Sequence, residues 1–480
     1  MRAAPVALVV CACATASAPR LERPVGVGPP TIPAVESSSA AIYASRVARL
    51  AEPAIGEGGV VGLTIGIVDA THVEHVGLGR TSEHGPTPNA DTVYEIGSLT
   101  KLFTGILLAA LEVEGADLST PASEWLGQRL PARKKRPIQL LDLASHTSGL
   151  PTNPDGFRAK DPLRPYDDVS AKEVLRAASN AKLRRKPGAR YEYSNFGFGL
   201  LGLAIERKLG QSYEAALAER VLGPLGLERT RSDLEAVQGH DADRAPVPPW
   251  RVGEGYAAAG ALRSTARDLT RLLLLQLRGE GPLARALEQA STPVHALSAK
   301  EHTPLVAALP AAERRRHAEI SSAYGWHVLD GGRRFMTGRT GGFHASVGFD
   351  PDAGVGVVVL SNTASMLVDR VANAVLELVT GGHPEPVVPR AELLLQVDAL
   401  DRYTGTYVIG PDFALRVRRD EVGLFLEVAD QPTLRLHAAS ATEFFFRGLP
   451  AKLTFVLDEG GDAKALILRQ SGRTFRGKRN

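Results

Sequence analysis

The chain has 480 residues, 44% of them hydrophobic and 23% charged, with 56 basic against 53 acidic side chains for a net charge of +3. That length exceeds what one small core needs and suggests two domains, and the composition is that of a folded chain rather than a disordered one. So small a charge excess gives no footing for nucleic-acid binding, and the basic runs "ARKKR" (132–136) and "ERRRH" (313–317) read as solvated loops.

In chain order, residues 1–18, "MRAAPVALVVCACATASA", carry one Arg, a short apolar run and then small residues. This is the layout of a secretory signal peptide, with cleavage expected after Ala16 or Ala18. The apolar run is too short to span a bilayer stably. Both cysteines, Cys11 and Cys13, fall inside it, so no disulfide is expected in the mature protein. The expected location is periplasmic or secreted. Lipoprotein processing at Cys13 is the alternative, and it is the one route by which a membrane would become a partner. Residues 19–40 are rich in Pro and Ser without apolar periodicity and read as a tether.

A helical pattern runs from about Ala41 to Ala51. "VVGLTIGIVDA" (60–70) and "HVEHVGLGR" (72–80) follow as two strands. "LTKLFTGILLAALEVEG" (99–115) is apolar nearly all round and predicts a buried helix, as does "SNFGFGLLGLAIERKLG" (194–210). "STARDLTRLLLLQLRG" (264–279) opens on a Ser/Thr cap and closes on Gly, a further helix. Hairpins are expected around Asp330-Gly331-Gly332 and around Pro351–Gly354, with a helix over "VDRVANAVLELVTGG" after them. Strands at both ends of a helical block predict an α+β fold, one antiparallel sheet flanked by helices, over 41–382. A Pro-rich linker spans 383–397. From 398 to 480 short β-patterned runs recur every ten or so residues, the spacing of a small barrel or sandwich.

One serine stands out. Ser98-Leu99-Thr100-Lys101 opens the first buried helix, and one helical turn puts both side chains on one face. A serine hydroxyl is a weak nucleophile, and a desolvated lysine beside it can serve as its base. The unpaired N–H at a helix start can in addition stabilise an oxyanion. A second Ser-x-x-Lys, at Ser179 and Lys182, sits at the polar end of a helix and lacks that setting.

The flanks decide between them. "LLDLASHTSGLP" (140–151), "KPGARYEYSNFGFGLLG" (186–202) and "GYAAAGALRSTARDL" (255–269) resemble stretches of the serine β-lactamase and penicillin-binding-protein superfamily, nearest to its class C β-lactamase, D-alanyl-D-alanine carboxypeptidase and esterase branch. The resemblance covers roughly 41–380. It implies a β-lactamase/transpeptidase-like fold, with the 398–480 run resembling an accessory β domain found in many relatives. The family reads Ser-x-x-Lys, then Tyr-x-Asn, then a basic residue with Thr-Gly. The first two are Ser98–Lys101 and Tyr193-Ser194-Asn195 here. By resemblance Ser98 forms an acyl-enzyme, Lys101 and Tyr193 share the proton transfers, and Asn195 positions Lys101 and the substrate amide.

The third motif departs from that pattern. "RRFMTGRTGGFHASVGFDP" (333–351) holds two Thr-Gly pairs, and the register of its relatives favours Met336-Thr337-Gly338 over Arg339-Thr340-Gly341. Thr337, Gly338 and Arg339 are then expected to line the substrate site, the Arg339 N–H completing an oxyanion hole with that of Ser98. Met336 cannot bind a substrate carboxylate as the family's basic residue does, although Arg339 or His344 could supply a cation. The expected function is therefore an exported serine hydrolase cleaving an ester or amide, esterase-like or D-amino-acid-peptidase-like ahead of β-lactam hydrolysis. The alternative is a silent module that binds cell-wall peptide. The partner expected is a small-molecule or peptide substrate. No cofactor is called for, and the scattered His146, His240, His317, His327 and His344 have no metal-ligand spacing. Substrate selection is expected from loops, 285–320 being one candidate.

Overall fold

The computed structural model describes residues 42–298, 301, 319–410, 413–429, 431–470 and 473–480. The expected leader and tether lie outside the described residues, as does most of the middle of 285–320. Eight strands form an antiparallel sheet in the spatial order Val73–Gly79, Gly62–Asp69, Val355–Ser361, His344–Asp350, Arg334–Arg339, His327–Leu329, Ile320–Ser322, His295–Leu297. Strands from the two ends of the helical block thus pair directly, Ile65 opposite Val359.

Both faces of the central strands are covered, and their sequences show how. Along Gly62–Asp69, Leu63, Ile65 and Ile67 join Val357 and Val359 in a core with the helices Ala44–Ala51 and Leu367–Val379. The alternate residues face the helix Ala266–Arg278. There Gly66 and Gly356 leave room for Thr270 and Leu273. Period-2 alternation of bulk, rather than of polarity, is what a strand buried on both faces requires.

The predicted buried helices are Thr100–Val113 and Asn195–Leu209. From Thr100 to Leu111 every residue of the first is buried. Burying each large apolar side chain contributes roughly 1.5–3 kcal/mol, which is why this helix can bear a charged-type residue at its start. The hairpins turn where expected, with the Leu329 N–H donating to the Arg333 carbonyl across the first. The described parts of 285–320 depart from the loop expectation: they hold the helix Ala284–Ser291, the edge strand His295–Leu297 and the start of Ile320–Ser322, the strand next to that edge.

Eight further strands, from Gly405–Gly410 to Arg473–Arg479, close into an antiparallel barrel, the first pairing with the last through Tyr407 and Arg479. Its interior is Tyr407, Leu415, Val417, Leu426, Phe444, Leu453, Phe455 and Leu466. Closure removes the open edges that would otherwise invite pairing with another chain.

Candidate active site

The chain reaches Ser98 through a short strand, Tyr94–Glu95, and a single 3-10 turn, Gly97–Leu99, that runs into the helix Thr100–Val113. Gly97 has φ +48°, and a Cβ there would stand 2.7 Å from the Arg339 carbonyl oxygen and 2.9 Å from the Arg339 nitrogen. Across the contact, a Cβ on Gly338 would meet the Ile96 carbonyl oxygen at 2.0 Å and the Ser98 nitrogen at 2.9 Å. Two glycines therefore let the strand Arg334–Arg339 lie directly against the serine turn. Thr340 and Gly341 fall in the turn beyond that strand, where the Thr340 N–H donates to the Phe343 carbonyl.

Lys101 is wholly buried. Its Nζ donates to Ser98 Oγ at 3.1 Å and to the Ala259 carbonyl at 2.7 Å, and lies over the rings of Tyr193 (4.9 Å to the centroid) and Phe198 (5.6 Å). Burial drives its pKa well below that of an ordinary lysine. A desolvated amine with only a hydroxyl and a carbonyl to bond is held towards its neutral form. Tyr193 OH donates to Ser98 Oγ at 2.7 Å. Burial pushes that phenol well up, against the lowering effect of its bond to Ser98, so at neutral pH it carries its proton. Base and acid are thereby separated around one hydroxyl.

Ser194 caps the helix Asn195–Leu209, its Oγ accepting from the Gly197 N–H at 2.8 Å and donating to the Pro151 carbonyl at 2.7 Å. The Asn195 amide donates to Tyr166 OH at 2.9 Å rather than engaging Lys101, which departs from the role expected for it. Its Oδ1 is buried with no partner among the described residues. His146, within "LLDLASHTSGLP", makes three contacts to the Tyr193 segment. Its Nδ1 accepts from the Ser194 N–H at 3.1 Å, its carbonyl accepts from the Glu192 N–H at 2.8 Å, and its ring stacks 4.5 Å from that of Tyr193. Burial pulls the His146 pKa well below that of an ordinary histidine and favours the neutral ring.

Two clefts meet at Ser98. The larger, about 370 Å³, is lined by Ser98, Tyr193, Met336, Thr337, Arg339 and Pro450 among others. The smaller, about 160 Å³, is lined by Ser98, Asn195, Tyr166, Trp250, Tyr256 and Arg339 among others. Gly338, within that strand, is buried against the serine turn rather than lining either cleft. Arg339 is exposed at the mouth of both clefts. His344 cannot supply a cation there: it is fully buried, with Nε2 2.8 Å from Asp369 Oδ1. Ser179 ends the helix Ala171–Ser179 and Lys182 is exposed, far from any such setting. Among the described residues no group of His, Cys, Asp and Glu is placed to hold a metal ion.

A family model described as Beta-lactamase matches residues 47–381, well over half of the chain. The chain is 32% identical over 188 residues to a D-alanyl-D-alanine-carboxypeptidase/endopeptidase of Escherichia coli (strain K12). That match takes in 38% of this chain and 48% of the relative, so the chain spans about half the relative's length. It is 27% identical over 355 residues to a beta-lactamase of Pseudomonas fluorescens, covering 68% of this chain and 95% of that one. The solved structure of an octameric penicillin-binding protein homologue from Pyrococcus abyssi shares the fold at a TM-score of 0.58 and 23% identity, covering 87% of this chain and 96% of that one.

Proposed function

The chain belongs to the Beta-lactamase family, and from that premise we propose that it is a serine hydrolase that cleaves an ester or amide through an acyl-enzyme on Ser98. The observation that carries this reading is the Ser98 hydroxyl set between a buried, uncompensated amine at 3.1 Å and a protonated phenol at 2.7 Å.

The steps follow from the two pKa directions. Neutral Lys101 takes the Ser98 proton as Oγ bonds to the substrate carbonyl carbon, and the carbonyl electron pair moves onto its oxygen. The backbone N–H groups of Ser98 and Arg339, flanking the Gly97–Gly338 contact, stabilise that oxyanion, a donor of this kind being worth about 10²–10³ in rate. Collapse breaks the bond to the leaving group, which takes the Tyr193 proton, and the proton on Lys101 restores the phenol. Water then repeats the sequence on the ester, passing its proton back to Lys101 and releasing the acid with Ser98 reprotonated. Asn195 Oδ1, buried and unpartnered at the smaller cleft, is suited to accept an N–H from the acyl side of the substrate.

Within this class we place esters and D-amino-acid peptides ahead of β-lactams, because Met336 stands where the family carries a cation. The substrate is a small molecule or peptide, cell-wall peptide being the natural candidate, and the composition of residues 1–18 supports export. No helix among the described residues is long and apolar enough to cross a membrane. The test is kcat/KM for matched acyl esters, D-amino-acid dipeptides and a β-lactam, on the parent and on Met336→Lys. The account expects the β-lactam to be the poorest substrate of the parent, and Met336→Lys to move the ranking towards carboxylate-bearing substrates. A parent that prefers the β-lactam, or a ranking untouched by Met336→Lys, would overturn this preference.

A further inference from the structure

The two clefts at Ser98 are not equivalent. Tyr193 lines the larger and Asn195 the smaller, while Ser98 and Arg339 belong to both. The group that departs must receive a proton, and the proton donor is Tyr193, so the leaving group lies in the larger cleft. Its floor and near wall come from the sheet and the helix Leu367–Val379, through Val347, Val357, Ala372 and Leu376. Pro450 of the barrel also lines it.

That segment of the barrel is tied to the catalytic half at Arg447 and Gly448. The Met366 N–H donates to the Arg447 carbonyl at 3.1 Å. Arg339 NH1 donates to the Gly448 carbonyl at 2.9 Å and lies 3.1 Å from Met366 Sδ, so a barrel carbonyl fixes the side chain at the mouth of both clefts. Behind it, Arg447 pairs with Glu392 at 2.8 Å and with Asp243 at 3.5 Å, and buried His437 reaches the same two carboxylates at 2.8 and 2.7 Å. Asp243 belongs to the catalytic half, Glu392 to the linker and His437 to the barrel. A segment clamped by a charge network, with one residue in the cleft and one carbonyl on an arginine of the cleft, is placed to shape the site as well as to stabilise the chain.

We propose that the 447–450 segment of the barrel is a specificity element of the Ser98 site. Pro450 sets how far a leaving group can extend, and the Gly448 carbonyl fixes Arg339 where it lines both clefts. The lining is mixed, with Asp369 and Asn373 on the same helix as Ala372 and Leu376, and the leaving groups that fit have an extended apolar body to follow the aliphatic stretch that ends at Pro450. This rests on Ser98 being the nucleophile.

The test uses the full chain and acetate esters that differ only in the alcohol, ethanol against 2-naphthol, on the parent, Pro450→Trp and Pro450→Ala. The adduct formed by a fluorophosphonate, whose fluoride is too small to reach Pro450, reports a formed site in each. The expected result is a naphthyl-to-ethyl ratio of kcat/KM that falls at least ten-fold in Pro450→Trp and rises in Pro450→Ala. If Pro450→Trp does not fold, Pro450→Ala alone decides by the direction of the ratio. Labelled variants whose ratio stays at the parent value overturn the barrel's role and leave the nucleophile standing. A folded parent that takes no label overturns the Ser98 reading and this inference with it.

Discussion

Lys101 should be costly to the fold and indispensable to the chemistry, and one substitution separates the two. The folded-state pKa of its amine lies below the unfolded value of about 10.4, because burial removes water and no carboxylate among the described residues replaces it. Between the two pKa values the unfolded chain holds the extra proton, so stability rises with pH through that window and the lysine is a net burden at pH 7. Each unit of depression corresponds to about 1.4 kcal/mol. Lys101→Met keeps the length of the stem, removes the amine, and leaves the Ala259 carbonyl without that donor. Relief of the buried amine is expected to outweigh the lost bond, worth about 1 kcal/mol, and so to raise Tm. Acylation should fall by about 10²–10⁴, the span of a general base. Lys101→Arg should be as inactive, since a guanidinium does not give up its proton. Scanning calorimetry at pH 6, 7 and 8, with single-turnover acylation of a p-nitrophenyl ester, reads both quantities. Retained activity in Lys101→Arg, or a Lys101→Met variant that is both less stable and nearly as active as the parent, would refute the argument that the buried amine is neutral and acts as the base.

Three further outcomes follow from single contacts. Tyr193→Phe removes the proton donor 2.7 Å from Ser98; amide cleavage should fall by at least about 10², and p-nitrophenyl ester cleavage by much less, because that leaving group departs unprotonated. Gly338→Ala drives a Cβ to 2.0 Å from the Ile96 carbonyl oxygen and forces the strand away from Ser98; both Tm and turnover should drop, the stability by about 1–3 kcal/mol in chemical denaturation. His437 is opposed by its burial, but the Asp243 and Glu392 contacts outweigh that and raise its pKa. Its contribution is therefore complete below the unfolded value of about 6.5 and is lost as pH climbs through the raised folded value, so the parent's Tm should decline over that window more steeply than that of His437→Gln.

The chemistry was legible because it is local. A three-residue spacing at the start of an apolar helix places Ser98 and Lys101 on one face whatever else the fold does, and the flanks of Tyr193 carried the family likeness. The sheet was legible too, since its long strands alternate visibly and its hairpins carry their own turn residues. What stayed hidden was adjacency across the chain. Nothing in the sequence marks the Ala259 carbonyl as the partner of Lys101, or Tyr166 as that of Asn195, because a carbonyl and a tyrosine have no distinguishing pattern. The last two strands of the sheet, Ile320–Ser322 and His295–Leu297, are three residues each, too short for alternation to register. His146 lies in a turn-like run whose residues do not mark it, and its φ of +61° is a conformation that only a demanding environment maintains. The reach of Pro450 into the catalytic cleft depends on how two domains pack, which no single segment encodes.

The central claim is that Ser98 is an activated nucleophile, and intact mass after exposure to a fluorophosphonate tests it most directly, on the parent and on Ser98→Ala. The account predicts one adduct on the parent and none on a folded Ser98→Ala. A folded parent with no adduct, or an adduct that survives the substitution, would contradict it and bring forward a module that binds cell-wall peptide without turning it over.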